Sequence, residues 1–350
     1  MEILKRANEA RRIILKSLTK NVGASKNNLN VGSINKSDIK RVLIIRPNHR
    51  LGNQLLITPI VQEVADVFPD CKIDLFVKGN LAPIIFKNYD NIDQIIRLPK
   101  KHFKQLLQYI FGWLKIRMRH YDIVINAAKN SSSGRLSTKF ANATYKFYGD
   151  DEDAFLLYAE DYQHIAKCPV CGLRSCLSKL GVSGFKKEIP VLDLKLSPSE
   201  LEEGKKIVQN LAANKEAKTI CLFTYATGAK CYTETWWSAF HERLKSEYPN
   251  FNILEILPVE NVSQIAFKEP SLYSKDIREM AAVMANTDVF IGADSGIMHL
   301  ASSSKVPVLG LFSVTSMEVY APYNNNSKGL NTGELTIDQL IEEVDKILLA

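Results

Sequence analysis

From Arg41 onward the chain alternates short β-branched runs with amphipathic stretches, and this alternation restricts the possible folds more than any other feature of the sequence. Strand, helix, strand in succession is the pattern of βαβ units that build a parallel sheet. Strand-like runs are Arg41–Arg46, Lys72–Val77, Asp122–Asn126, Lys218–Thr224, Asn252–Leu257, Asp288–Ile291 and Pro307–Phe312. Helix-like runs lie between and after them, at Gly52–Phe68, Phe103–Arg119, Asp161–Leu180, Ser199–Asn214, Asp276–Ala285 and Ile337–Leu349. No unit recurs at a fixed period, which excludes solenoids and propellers.

The stretch Gly181–Pro198 is rich in Gly, Pro and Ser between two helical patterns and reads as a linker. At 350 residues, two cores are expected rather than one. The expected layout is a basic extension at 1–40, an N-terminal Rossmann-like domain at 41–185, a second at 186–335 and a closing helix at 336–350. Doubly wound sheets bind ligands outside the carboxyl ends of their strands. Two such domains facing a central cleft would suit an enzyme that joins two substrates.

The formal charge is +7, and residues 1–40 hold most of it, with nine Lys or Arg against three acidic residues. The nearly neutral remainder argues against broad nucleic-acid binding, which needs a basic face. No apolar run approaches the roughly 20 residues that span a bilayer, and the first residues lack the apolar core of a secretory signal. The expected compartment is therefore the cytoplasm, where six cysteines would be thiols or metal ligands.

Two glycine-containing turns follow strand-like runs. In Ile44-Ile45-Arg46-Pro47-Asn48-His49-Arg50-Leu51-Gly52-Asn53, backbone approach through Gly52 would suit an anion or a sugar hydroxyl, though an ordinary tight turn has the same composition. In the segment Asp288 to Ala301, a buried strand ends near Gly292, Asp294 or Ser295 can cap a helix starting at Gly296, and the helix N-terminus would favour a diphosphate. His299, four residues after Ser295, lies one turn inside and can face the same ligand or pack structurally.

With these residues in view, the chain resembles glycosyltransferase family 9, whose best-known members are the ADP-heptose:lipopolysaccharide heptosyltransferases. Leu51-Gly52-Asn53 with Thr58-Pro59 is similar to the family's Leu-Gly-Asp turn and following Pro. The run Gly292 to Ala301 with Lys305-Val306-Pro307 resembles its Asp-Thr-Gly-Leu-x-His-Leu-Ala segment, and Thr315-Ser316 with Pro322-Tyr323 resembles a short closing motif. The resemblance implies a GT-B architecture with acceptor on the N-terminal domain and sugar nucleotide on the C-terminal one. It also implies an inverting transfer that needs no metal and no cofactor, the donor being a substrate such as ADP-heptose. On the donor side it implies roles for Asp294, Ser295, Gly296 and His299, for Lys230 as a phosphate contact and for Glu260 at the ribose; Lys230 also reads as a surface lysine and Glu260 as a helix cap.

One departure bears on catalysis. Where the family carries the Asp that deprotonates the acceptor, this chain has Asn53, whose amide can orient a hydroxyl but takes no proton at neutral pH. His49 in the same loop is the substitute base, unless it is simply solvated. Arg46 and Arg50 match the geometry of a phosphorylated or acidic acceptor, and equally of ordinary surface charges.

His164, Cys168, Cys171 and Cys176 offer four soft ligands with half the spacing of a structural zinc site, while the same residues fit a helix that packs its cysteines as small hydrophobes. Residues 1–20 and the acid-free stretch Lys100–Tyr121, with Phe103, Tyr109, Phe111 and Trp113 among Lys101, Lys104, Lys115, Arg117 and Arg119, suit the surface of an anionic membrane or two ordinary packed helices. The expectation is a peripheral transferase on the inner face of the inner membrane, acting on a lipid-linked saccharide of the lipopolysaccharide core or a related surface glycan. A silent nucleotide-sugar-binding protein and a sugar-nucleotide epimerase of the same architecture remain its rivals.

Overall fold

The computed structural model describes residues 34–100, 105–129, 131–149, 152–186 and 188–349. The strands are β1 (Arg41–Arg46), β2 (Lys72–Lys78), β3 (Ile92–Leu98), β4 (Tyr121–Asn126), β5 (Ala143–Phe147), β6 (Thr219–Phe223), β7 (Asn252–Ile256), β8 (Ser271–Leu272), β9 (Val289–Ala293), β10 (Val308–Phe312) and β11 (Lys328–Asn331). The helices are α1 (Leu51–Leu55), α2 (Thr58–Val67), α3 (Ala82–Ile85), α4 (Leu106–Met118), α5 (Ser132–Phe140), α6 (Glu152–Leu157), α7 (Cys168–Lys179), α8 (Pro198–Leu211), α9 (Glu234–Glu247), α10 (Ile277–Ala285), α11 (Gly296–Ser303), α12 (Met317–Tyr320) and α13 (Ile337–Leu349).

The chain forms two compact units, each built on a parallel sheet. The first holds a five-stranded sheet in the order β3-β2-β1-β4-β5, every pair parallel. Its central strands are continuous apolar runs because helices cover both faces. Leu43, Ile45, Phe76, Ile96 and Val124 form one core cluster, with Trp113 of α4 packed against it. On the opposite side of charge balance, the buried Arg174 of α7 meets Glu63 of α2 through paired hydrogen bonds of 2.7 and 2.8 Å, a bidentate geometry that removes the cost of burying either charge alone.

The second unit holds a six-stranded sheet in the order β8-β7-β6-β9-β10-β11, again wholly parallel. The order reverses between β6 and β9, as in the dinucleotide-binding sheet. Its core joins Ile220, Trp237, Phe240, Val289, Ile291 and Leu309 to Leu340, Ile341 and Val344 of α13, so the closing helix is part of this unit. Helix α8 starts with a capping box between Ser197 and Glu200 and crosses α10 at Gly204, where a Cβ would lie 2.3 Å from the Ala282 carbonyl oxygen.

Residues 50–58 and 84–88 group with the second unit, although both interrupt the sequence of the first. The guanidinium of Arg278, buried on α10, explains part of this: it holds Glu200 bidentately and donates to the carbonyls of Ile84, Leu194 and Lys195. The helical run expected at Gly52–Phe68 breaks after Leu55, because Thr58 and Pro59 start a new helix. Residues 1–33, with the basic stretch 1–20, lie outside the described residues, as do Lys101, Phe103 and Lys104. Among the described residues no helix is long and apolar enough to cross a membrane.

Candidate functional site

The reversal of strand order in the second unit sets where its ligand site can be built, because the loops leaving β6 and β9 diverge there. The loop after β6 carries Lys230, at the end of a short 3-10 turn, and the loop after β9 carries Asp294. The two side chains meet: Lys230 Nζ donates to Asp294 Oδ2 at 3.0 Å. Thr315, in the loop after β10, donates its hydroxyl to the same oxygen at 2.7 Å. Three successive switch-side loops therefore converge on one nearly buried carboxylate.

Ser295 is the N-cap of α11, its Oγ accepting from the Met298 N–H at 3.2 Å. Gly296 opens the helix, and the first-turn N–H groups and the positive dipole end lie next to the Lys230–Asp294 pair. His299 is buried one turn in, its Nε2 3.8 Å from Asp294 Oδ1. Burial pushes its pKa down to about 4, which outweighs the upward pull of Asp294 and is reinforced by Lys230. The imidazole is thus neutral at physiological pH and adds no charge to the site.

Helix α1 packs on α11 within this unit. A Cβ on Gly52 would come 2.7 Å from His299 Cδ2, and one on Gly296 would come 3.3 Å from Leu51 Cβ. Gly52 permits the close approach of the two helix starts, and Gly296 eases it. Asn53 follows Gly52 on α1, partly exposed, and Arg50 occupies the extended residue just before the helix. The sequence expectation placed this turn in the N-terminal domain; the packing of Gly52 on His299 puts it in the second unit instead.

The remaining expected residues are placed as follows. His49 is exposed in the loop after β1, with its Cβ beside Gly79. Arg46 is buried, not surface-facing, and its guanidinium donates to the Ala127 carbonyl, tying β1 to the loop after β4. Glu260 is exposed in the turn that follows β7, at the carboxyl edge of the same sheet as Asp294. Thr315 belongs to the motif that resembles the one closing the donor site, but nothing in the sequence marks its partner Asp294, 21 residues away. One group escapes the sequence. Glu255 is buried at the end of β7 between the hydroxyls of Thr224 and Ser263, at 2.6 and 2.7 Å, and burial raises its pKa. A carboxylate inside the apolar run Asn252–Leu257 was the available signal.

The zinc alternative is not supported by the geometry. Among the described residues no three His, Cys, Asp or Glu side chains are grouped to hold a metal ion. Cys168 and Cys171 pack with Ala154 and Tyr162, Cys176 is buried on the same helix, and His164 Nδ1 accepts from the Ala166 N–H. Burial pushes the Cys171 thiol up to about 12, so it is an uncharged packing group.

Comparison with known proteins bears on the same region. Residues 260–343, which span Glu260, Asp294, His299 and Thr315, match the family model of glycosyltransferase family 9 (heptosyltransferase). Lipopolysaccharide heptosyltransferase 3 of Escherichia coli is 23% identical over 301 residues, covering 79% of this chain and 84% of its own. Among solved structures, a family 9 glycosyl transferase from Veillonella parvula superposes with a TM-score of 0.69 at 17% identity, covering 91% of this chain and 99% of its own. The E. coli heptosyltransferase WaaC with ADP gives 0.64 at 16%, covering 88% and 99%. The class is a glycosyltransferase with two parallel-sheet α/β domains of the GT-B kind. Within that class the chain is family 9-like and heptosyltransferase-like.

Proposed function

We propose that this chain is an inverting, metal-independent glycosyltransferase that moves a sugar from a nucleoside-diphosphate donor to a hydroxyl of a lipopolysaccharide-core or related surface-glycan acceptor. The observation that carries the donor reading is the convergence of Lys230 and Thr315 on Asp294 beside the amino end of α11. A diphosphate there meets an ammonium already held in place, together with the first-turn N–H groups. Asp294 keeps Lys230 aimed, Ser295 and Gly296 shape the helix start, and the neutral His299 contacts the ligand without repelling or trapping charge. Glu260 is the group offered to the ribose. The E. coli relative solved with ADP supports an adenosine diphosphate donor, with ADP-heptose the first to try.

In the reaction, the acceptor oxygen forms a bond to the anomeric carbon as the bond to the diphosphate breaks, and the electron pair leaves on the diphosphate. Lys230 and the helix terminus stabilise that developing charge. The acceptor proton goes to a base. Asn53 and Gly52 position the hydroxyl, His49 takes the proton, and Arg50 meets acidic groups on the acceptor. Arg46, tied to the Ala127 carbonyl, fixes the end of β1. A lipid-linked acceptor would place the enzyme peripherally on the inner face of the inner membrane, with the basic aromatic stretch around α4 toward the lipid.

Incubation with ADP-heptose, with and without a deacylated core saccharide and in the presence of a chelator, tests this reading. ADP release only with the saccharide, and a new glycoside of inverted anomeric configuration, is the expected result. Conversion of the donor alone would make the chain an isomerase. Donor binding without turnover on any acceptor would make it the silent protein that the amide at position 53 permits.

A further inference from the structure

Helix α4 exposes more apolar surface than an element anchored in a core needs. Gly112 and Ile116 are its buried residues, whereas Leu107, Ile110, Phe111, Leu114 and Met118 are exposed, Leu107 by 72% and Met118 by 82%. Their spacing of three, four, seven and eleven residues sets all five on one helical face, opposite the face that carries Gly112 and Ile116. Lys115 and Arg117 fall on the two borders of this stripe. Cations flanking an apolar stripe along a helix are the arrangement of a segment that lies in a lipid interface.

The neighbouring sequence shares its sign, and the one carboxylate on β3, Asp93, is taken up by Arg41 and Arg119. Residues 99–149 contain ten Lys or Arg and a single acidic residue, Asp122, whose carboxylate is engaged by the backbone N–H groups of Lys40 and Arg41. Arg117 lies 5.9 Å over the ring of the partly exposed Phe140, which packs edge-on against Trp113 at 5.6 Å. Lys146 donates to the Lys139 carbonyl, and the nearby Arg117 adds to burial in pushing its pKa down. Between α4 and β3 runs an open groove of about 160 Å³ lined by Ile95, Arg97, Gln108, Phe111 and Lys115, two cations beside apolar walls.

We propose that α4 lies flat on an anionic lipid surface, with the stripe from Leu107 to Met118 among the acyl chains, Arg117 and Lys139 on lipid phosphates and one headgroup between Arg97 and Lys115. The purpose of this contact rests on the lipid-linked acceptor proposed above; its physical basis does not. A second copy of the chain is the poorer occupant, because a two-fold contact would press this cationic surface onto its own twin.

The test is co-sedimentation of the full-length protein with vesicles of phosphatidylcholine alone or with 30% phosphatidylglycerol, at low and high salt. Binding about tenfold stronger to the anionic vesicles, weakened about tenfold by Leu107→Glu with Phe111→Glu and made less salt-sensitive by Lys115→Glu, is expected. Both substitutions fall on exposed positions, and an unchanged melting temperature shows that the variants fold. Equal binding of wild type and the double variant, as would follow from docking through residues 1–20 alone, overturns the proposal. So does a wild-type dimer that the double variant dissolves without any vesicle binding. A nucleotide-induced thermal shift measured on the same samples reports the donor reading separately, so either proposal can fail while the other stands.

Discussion

An amide at position 53 and a carboxylate at the same position differ by one proton acceptor, and much of the expected chemistry hangs on that atom. With Asn53 orienting and His49 accepting, Asn53→Asp adds a second base and raises kcat by tenfold or more, while His49→Ala lowers it by about a hundredfold, the usual worth of a positioned base. Steady-state rates of wild type, His49→Ala and Asn53→Asp with a saturating donor check this. If His49→Ala leaves kcat unchanged, the base lies elsewhere. At this scale the sequence named Lys230 and Asp294 from separate motifs, and folding brings them to 3.0 Å. Thr315, Glu255 and the buried state of Arg46 needed the topology, because each is defined by a partner at least 21 residues away.

Among elements, the close helix contacts carry the sharpest constraint. Gly204→Ala places a methyl group 2.3 Å from a backbone oxygen of α10, which cannot rotate away as a side chain would. The variant should lose about 1–3 kcal/mol of stability, the ordinary cost of overpacking, and a urea titration monitored by tryptophan fluorescence would register it. An unchanged midpoint would mean that α8 and α10 separate freely. The central strands β1, β2, β4, β6, β7, β9 and β10 were legible because both of their faces are buried. The edge strands β3, β5, β8 and β11 were not: β3 and β5 are largely open to solvent and mix in polar residues, β8 has two residues, and β11 has four with one buried. The Cys-x2-Cys spacing left zinc site and packed helix both open for α7; Pro169 sits harmlessly in its first turn and the thiols are buried.

For the molecule as a whole, two buried groups set opposing responses to acid. His299 has its pKa lowered to about 4 by burial, so between that value and 6.5 the unfolded chain binds a proton the folded chain excludes. Its contribution is full above pH 6.5 and is lost as pH falls toward 4. Asp74, buried in the first unit with Tyr121 donating to it at 2.9 Å, is raised by burial from 3.8 to about 6, and its contribution is greatest at low pH and lost as pH rises through 6. Unfolding midpoints at pH 4.5, 5.5 and 7 should therefore fall more steeply with acid in Asp74→Asn and less steeply in His299→Gln than in wild type. Identical slopes in all three proteins would contradict both assignments.

The central claim is that the carboxyl end of the second sheet binds a nucleoside diphosphate through Lys230 and the start of α11. Calorimetric titration of ADP and ADP-heptose into wild type, Lys230→Ala and Asp294→Asn tests it most directly. Wild type should bind, Lys230→Ala should bind at least tenfold more weakly, and Asp294→Asn should weaken binding by loosening Lys230. Binding of equal strength in all three proteins would contradict the claim, as would failure of wild type to bind ADP or any other nucleoside diphosphate.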